Sequence, residues 1–187
     1  MVFDPEGAQG FNTDYTGFMS AYRKIRGARS PGTVCLIGTG GVGRAVAFGL
    51  IGLKAHTIRC VDLHPAKAQA LAEALSALGS ETRIEICRDA PVAAKGADGI
   101  VNCTPLGMVG IGGSPLPVAD MRGAEWVFDA VYTPVETPFL QDAAELSLIV
   151  VSGYELFFAQ GLDAWNVFTG AGLNHASLRA ALERGTV

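Results

Sequence analysis

Three glycines, Gly38, Gly40 and Gly43, stand in the stretch GTGGVG between an apolar run, TVCLIG, and a helix-like run, GRAVAFGLIGL. Glycines so spaced between a strand and a helix let backbone N–H groups approach a pyrophosphate, and the helix N-terminus adds partial positive charge. Asp62 closes the next apolar run about 20 residues further on, where a carboxylate meets the hydroxyls of an adenosine ribose. Glycines alone would explain only a tight turn and close helix–strand packing; with Asp62 in place they point to a dinucleotide. A carboxylate there accepts from a free 2′-hydroxyl and repels a 2′-phosphate. The following LHPAK offers only His64 and Lys67 as counter-charges, so NAD is favoured over NADP.

Two further stretches carry polar groups at places where ligands bind. NCTPLGM, residues 102–108, leaves a later apolar run at its carboxyl end, the side of a parallel sheet that holds ligands. Read blandly, it is a turn punctuated by Pro105 and Gly107. GFNTDYTGF, residues 10–18, puts Asp14 at the mouth of a helix. An N-cap aspartate there contributes ~1 kcal/mol, and the same carboxylate could also touch a substrate.

A framework must bring these groups together. VFDPEGAQGF reads as two extended pieces around a DPEG turn. In the helix after Asp14, Phe18, Tyr22 and Ile25 form the apolar stripe and Arg23, Lys24 and Arg26 face water. TVCLIG, TIRCVDL, RIEIC, GIVNCTP, WVFDAVY and LIVVSG are six short strands, apolar nearly throughout. Helices separate several of them, including one opened by Pro65, TPFLQDAAEL and YELFFAQGLDAWNVF, and the last, HASLRAALERG, takes Asn174 as its N-cap. Apolar strands alternating with helices predict an α/β fold with a doubly wound, Rossmann-type parallel sheet of six strands, ordered 3-2-1-4-5-6 and covered on both faces.

Composition narrows the classes. Of 187 residues, 49% are apolar and 17% charged, against the ~25% charged of ordinary soluble domains. The formal charge of −4 and the absence of a Lys/Arg run exclude a nucleic-acid footprint. No apolar stretch approaches the ~20 residues of a membrane span, and MVFDPEGAQG has no signal features, so a cytoplasmic protein without a membrane partner is expected. Cys35, Cys60, Cys87 and Cys103 lie in strand-like runs without CxxC spacing and read as small buried hydrophobes. His56, His64 and His175 show no metal spacing, and no metal site is expected.

Taken jointly, GFNTD, GTGGVG, NCTPLGM, FDAVYTPVETPF and GYELFFAQGLDAWNVFTG resemble the shikimate/quinate dehydrogenase family, in order and spacing, across essentially the whole chain. The resemblance implies reversible hydride transfer between a nicotinamide and the C3 carbon of 3-dehydroshikimate or 3-dehydroquinate. It implies that Asp14 is the catalytic aspartate, binding a substrate hydroxyl, and that Tyr132 and Gln160 touch substrate. Alone, Tyr132 reads as a strand-end aromatic and Gln160 as an exposed polar residue on a helix. The cofactor contacts it implies are Gly38, Thr39, Gly40, Gly41, Val42, Gly43, Asp62, Leu63, Thr104, Pro105, Leu106, Met108, Ala130, Gly153 and Leu156.

Two departures carry information. Leu156 stands where the family often has Met, and Asp62 replaces the Asn-Arg-Thr stretch of NADP-using members, as in NAD-preferring ones. Family members also carry an N-terminal substrate domain with a Ser-x-Ser clamp and a catalytic lysine. Residues 1–30 resemble the last hairpin and hinge of that domain, and residues 31–187 the NAD(P)-binding domain. Lys24, Lys54, Lys67 and Lys95 lie in none of the catalytic-lysine contexts. An alternative expectation is therefore an NAD-binding module inactive alone, working through a homodimer or a complementing N-terminal domain. A methylene-tetrahydrofolate dehydrogenase-like enzyme would lack the NTD, VYTPVETP and AQG blocks.

Overall fold

β-Branched and aliphatic residues fill each strand on both sides, so a strand satisfies its backbone in a ladder and buries both faces. The computed structural model describes residues 1–5 and 7–185. A hairpin of β1 (Val2–Asp4) and β2 (Gly7–Gln9) precedes α1 (Thr13–Arg26); the DPEG turn includes Glu6, which lies outside the described residues. Then follow β3 (Thr33–Ile37), α2 (Gly41–Gly52), β4 (Thr57–Val61), α3 (Pro65–Ser76), β5 (Arg83–Ile86), α4 (Ala90–Ala94) and β6 (Gly99–Asn102). β7 (Trp126–Asp129), α5 (Pro138–Glu145), β8 (Ile149–Val151), α6 (Gly153–Thr169) and α7 (His175–Gly185) complete the chain. The six-stranded sheet runs β5-β4-β3-β6-β7-β8 with every pairing parallel, which is the expected 3-2-1-4-5-6 order counted from β3.

The two-residue period of β3 divides the core. Val34 and Leu36 point to one face with Phe18 and Tyr22 of α1, Leu50 of α2, Leu71 of α3 and Leu156 of α6. Cys35 and Ile37 point to the other, against Ala93 of α4 and Phe139 and Ala143 of α5. Strand order therefore brings the carboxyl ends of β3, β4, β6 and β7, with Asp62, Asn102 and Asp129, to one edge of the sheet. Asn174 caps α7 as expected, accepting from Ser177 N–H at 2.9 Å. Among the described residues no helix is long and apolar enough to cross a membrane.

Two expectations are corrected in α1. Asn12, not Asp14, caps it, accepting from Tyr15 N–H at 3.1 Å, so Asp14 sits one step inside the first turn. Arg26 is buried rather than solvated, whereas Ile25 is 40% exposed. Position 26 continues the four-residue steps from Phe18 and Tyr22, while position 25 lies ~100° away around the helix. Arg26 is accommodated because its guanidinium lies 5.7 Å from the Trp126 ring centroid and its Nη2 meets Glu125 at 3.0 Å. Cys35 and Cys60 are buried as expected, but Cys87 and Cys103 are only half-buried, because each lies just past the end of its strand.

Candidate functional site

Within the glycine loop, two glycines are required by the protein itself and two leave room. Gly38 has φ +91°, and a Cβ there would come 2.7 Å from the Cys103 carbonyl oxygen. A Cβ on Gly43 would lie 2.9 Å from the Gly38 carbonyl carbon and nearer still to its oxygen, so α2 can press on the turn only without one. Gly40 and Gly41, by contrast, face open space, with nothing within 4 Å of a Cβ. Gly40 is the N-cap of α2 and offers no side-chain acceptor, so the first turn presents backbone N–H groups towards that space.

Asp62 is tied to this loop. Its Oδ2 accepts from Thr39 N–H at 2.8 Å and Thr39 Oγ1 at 2.7 Å, and its Oδ1 accepts from His64 N–H at 2.9 Å. Oδ1 keeps acceptor capacity for a further donor. Burial pushes the Asp62 carboxyl up, but the hydrogen bonds from His64 and Thr39, helped by the Lys67 charge, more than offset it and hold the group below the usual carboxylate range. Leu63, beside it, is almost wholly exposed.

On the other side of the loop lies a cavity of about 540 Å³ lined by Gly41, Val42, Cys103, Thr104, Pro105, Met108, Ala130 and Tyr132, among others. Most of the expected cofactor contacts thus converge on two adjoining regions. Three stand back from the cavity. Leu106 is held through its carbonyl by Asn102 Nδ2 at 3.2 Å, and Leu156 is buried in the core. Gly153 permits close approach of α6, since its Cβ would come 2.7 Å from the Val131 carbonyl carbon. Tyr132 stacks on Phe157 with centroids 4.8 Å apart and planes at 18°, a half-exposed aromatic platform that the FF doublet of YELFF could have signalled.

Asp14 lies in the first turn of α1, near enough for its charge to act on Cys103, which lines the cavity. The Cys103 thiol is pushed up first by burial and then by the carboxylates of Asp129 and Asp14. Gln160 lies where α1 and α6 cross, its backbone nitrogen 3.0 Å from a Cβ placed on Gly17. Its Oε1 is buried and has no hydrogen-bond partner among the described residues.

Sequence reasoning missed Asp129 and Thr137. Asp129 ends β7 fully buried and accepts from Asn102 Nδ2 at 2.9 Å, Val131 N–H at 3.0 Å and Thr137 Oγ1 at 2.6 Å. Burial pushes its carboxyl up to about 6, against the lowering effect of Thr137, Val131 and Asn102. A charged residue closing the apolar run WVF was the available signal.

A family model described as NADP oxidoreductase coenzyme F420-dependent matches residues 33–110, from β3 into the loop after β6. A quinate/shikimate dehydrogenase (NAD(+)) of Corynebacterium efficiens is 39% identical over 163 residues, 86% of this chain and 57% of the relative. A shikimate dehydrogenase (NADP(+)) of Pseudarthrobacter chlorophenolicus is 36% identical over 174 residues, 91% of this chain and 59% of the relative. The chain thus spans under two thirds of the length of these curated relatives. The solved quinate dehydrogenase from Corynebacterium glutamicum in complex with NAD superposes with a TM-score of 0.86 at 34% identity, covering 98% of this chain and 66% of that one. On sequence identity and fold together, the chain belongs to the quinate/shikimate dehydrogenase family.

Proposed function

We propose that this chain holds NAD across the carboxyl edge of its sheet and serves reversible quinate- or shikimate-type dehydrogenation. The observation that carries the reading is the pairing of an open backbone face at Gly40 and Gly41 with an ionised Asp62 anchored beside it. The glycine loop and the first turn of α2 bind the pyrophosphate, and Asp62 Oδ1 accepts from the adenosine ribose. When bound, the nicotinamide accepts or donates a hydride at C4, exchanged with the C3 carbon of the ring substrate. The walls from residues 104–108 and 130–133 orient the nicotinamide and exclude water. Asp14 binds and polarises the reacting hydroxyl, while Tyr132 and Gln160 fix the substrate.

Fluorescence titration with NADH and NADPH tests the cofactor. Asp62→Ala removes both an acceptor and a repulsive charge, so the NADH preference should shrink by about 10- to 100-fold, the worth of a charge-assisted hydrogen bond. Loss of the Thr39 latch weakens both ligands alike, so the ratio is the informative readout. An unchanged ratio rejects the ribose role.

Asp14→Asn should lower turnover about 100-fold or more in any preparation that oxidises quinate or shikimate. Because Asn12 does the capping, the melting temperature should move by only about 2 °C, the size of a first-turn charge effect. A loss of activity matched by a loss of stability returns Asp14 to a purely structural role.

A second reading, binding without turnover by this chain alone, is favoured by Lys24. This residue is engaged by Glu155 at 2.8 Å and lies in the last turn of α1, whereas Asp14 lies in the first. A complementing domain would then supply the proton-transferring lysine. NADH formation from quinate by the chain alone eliminates that reading.

A further inference from the structure

We propose that Asp129 is a positioning residue whose hydrogen bonds to Asn102, Val131 and Thr137 set the nicotinamide-side wall of the cofactor cavity. This rests on the dinucleotide reading above and concerns a group that makes no contact with the cofactor itself.

Asn102 and Asp129 are register partners at the ends of β6 and β7, and both are fully buried. From this pair, hydrogen bonds fan into the two loops that follow β6 and β7 and line the cavity. Asn102 Oδ1 accepts from Thr104 N–H at 2.9 Å and Thr104 Oγ1 at 2.7 Å, and Asn102 Nδ2 donates to the Leu106 carbonyl at 3.2 Å. Those bonds shape the segment carrying Thr104, Pro105 and Met108. Asp129 Oδ1 takes the Val131 N–H at 3.0 Å and so fixes the turn that carries Ala130 to Thr133. Thr137 closes the frame. Its hydroxyl donates to Asp129 Oδ2 at 2.6 Å and accepts from Leu140 N–H at 3.3 Å as the cap of α5. Gly107, at φ +94°, leans on the same threonine, with a Cβ there falling 3.2 Å from Thr137 Cβ. A backbone bond from Val109 N–H to the Thr133 carbonyl, at 3.2 Å, joins the two loops.

The network lies apart from the device that serves the other half of the ligand. The glycine loop is held by Thr39 on Asp62, and among the described residues none of its hydrogen bonds passes through Asp129. The two halves of a dinucleotide should therefore respond separately. A buried carboxylate is also a costly way to gain stability, since an apolar group of similar shape is often as stable or more so. What a fully satisfied polar network adds is a single arrangement of the groups it touches.

The test compares NADH with ADP-ribose, which lacks the nicotinamide. The unmodified chain should bind both. Asp129→Ala should weaken NADH about tenfold and leave ADP-ribose within about twofold, the loss corresponding to one or two misplaced polar contacts. Asp129→Asn should restore NADH binding, because its amide oxygen still accepts from Asn102 and Val131 and its NH₂ can donate to Thr137. Thr137→Val, of equal shape without the donor, should repeat the selective loss, and Thr137→Ser should reverse it; this pair decides the matter if Asp129→Ala does not fold. Equal effects on the two ligands, or none, overturn the positioning role. If the unmodified chain binds neither ligand, the dinucleotide reading falls and this proposal with it.

Discussion

Gly43→Ala should cost the chain about 3 kcal/mol or more, lowering its melting temperature by roughly 10 °C, and should abolish NADH binding. An alanine is ordinarily favoured over glycine inside a helix by about 1 kcal/mol. Here that gain is overwhelmed, because the new methyl meets the Gly38 carbonyl, and backbone does not swing aside as a side chain would. Relief requires α2 to lift from the turn, and Val46 and Leu50 then leave the core beneath it. Gly40→Ala is the matched contrast. Apart from its chain neighbours, no described residue lies within 4 Å of its Cβ, and its φ of −69° suits any residue, so the fold should melt within about 2 °C of the parent. Yet NADH affinity should fall at least about tenfold, because the methyl occupies the space where the pyrophosphate approaches the backbone. Thermal melts and NADH titrations of both variants check the pair. Undiminished affinity in Gly40→Ala removes the pyrophosphate from that face.

The second large effect concerns acidity. Burial lifts the Asp129 carboxyl from 3.8 to about 6, so the folded chain holds this proton more tightly than the unfolded chain does. Stability from this group is therefore full below about pH 4 and is lost as pH rises through about 6. A shift of about two pKa units corresponds to roughly 3 kcal/mol. Asp129→Asn does not titrate and keeps the acceptor for Asn102 and Val131. It should match the parent near pH 4 and exceed it by about 6 °C or more above pH 7. Asp62 and Glu155, both held below their ordinary values, act with opposite sign, so only the difference between the two proteins isolates Asp129. A melting difference that stays flat across this range rules out the raised pKa of Asp129.

Much of the fold was legible because each strand is a short apolar run bounded by glycine, proline or polar residues, and a parallel sheet demands such runs. The glycine spacing and Asp62 were legible for a related reason: the constraint lies in local backbone geometry. What escaped depends on contacts distant in sequence. Nothing near Gly38 tells it from Gly40; the difference is the Cys103 carbonyl, brought alongside by pairing of β3 with β6. Arg26 was placed in water because its charge outweighed its position, and its acceptor Glu125 and aromatic neighbour Trp126 lie far along the chain. Asp129 and Thr137 escaped because a buried carboxylate becomes tolerable only with partners that an apolar pattern does not reveal.

The anchoring of α1 bears on how the candidate site could respond to motion. Phe18 and Tyr22 meet Phe128 and Trp126 edge to face, each pair with centroids 5.0 Å apart, and Arg26 fastens the far end of the helix to Glu125. Asp14 therefore rides on the same rigid body as the strands that carry the cavity walls. Movement of anything packed over this edge would therefore leave the spacing between Asp14 and the walls formed by residues 104–108 and 130–133 constant.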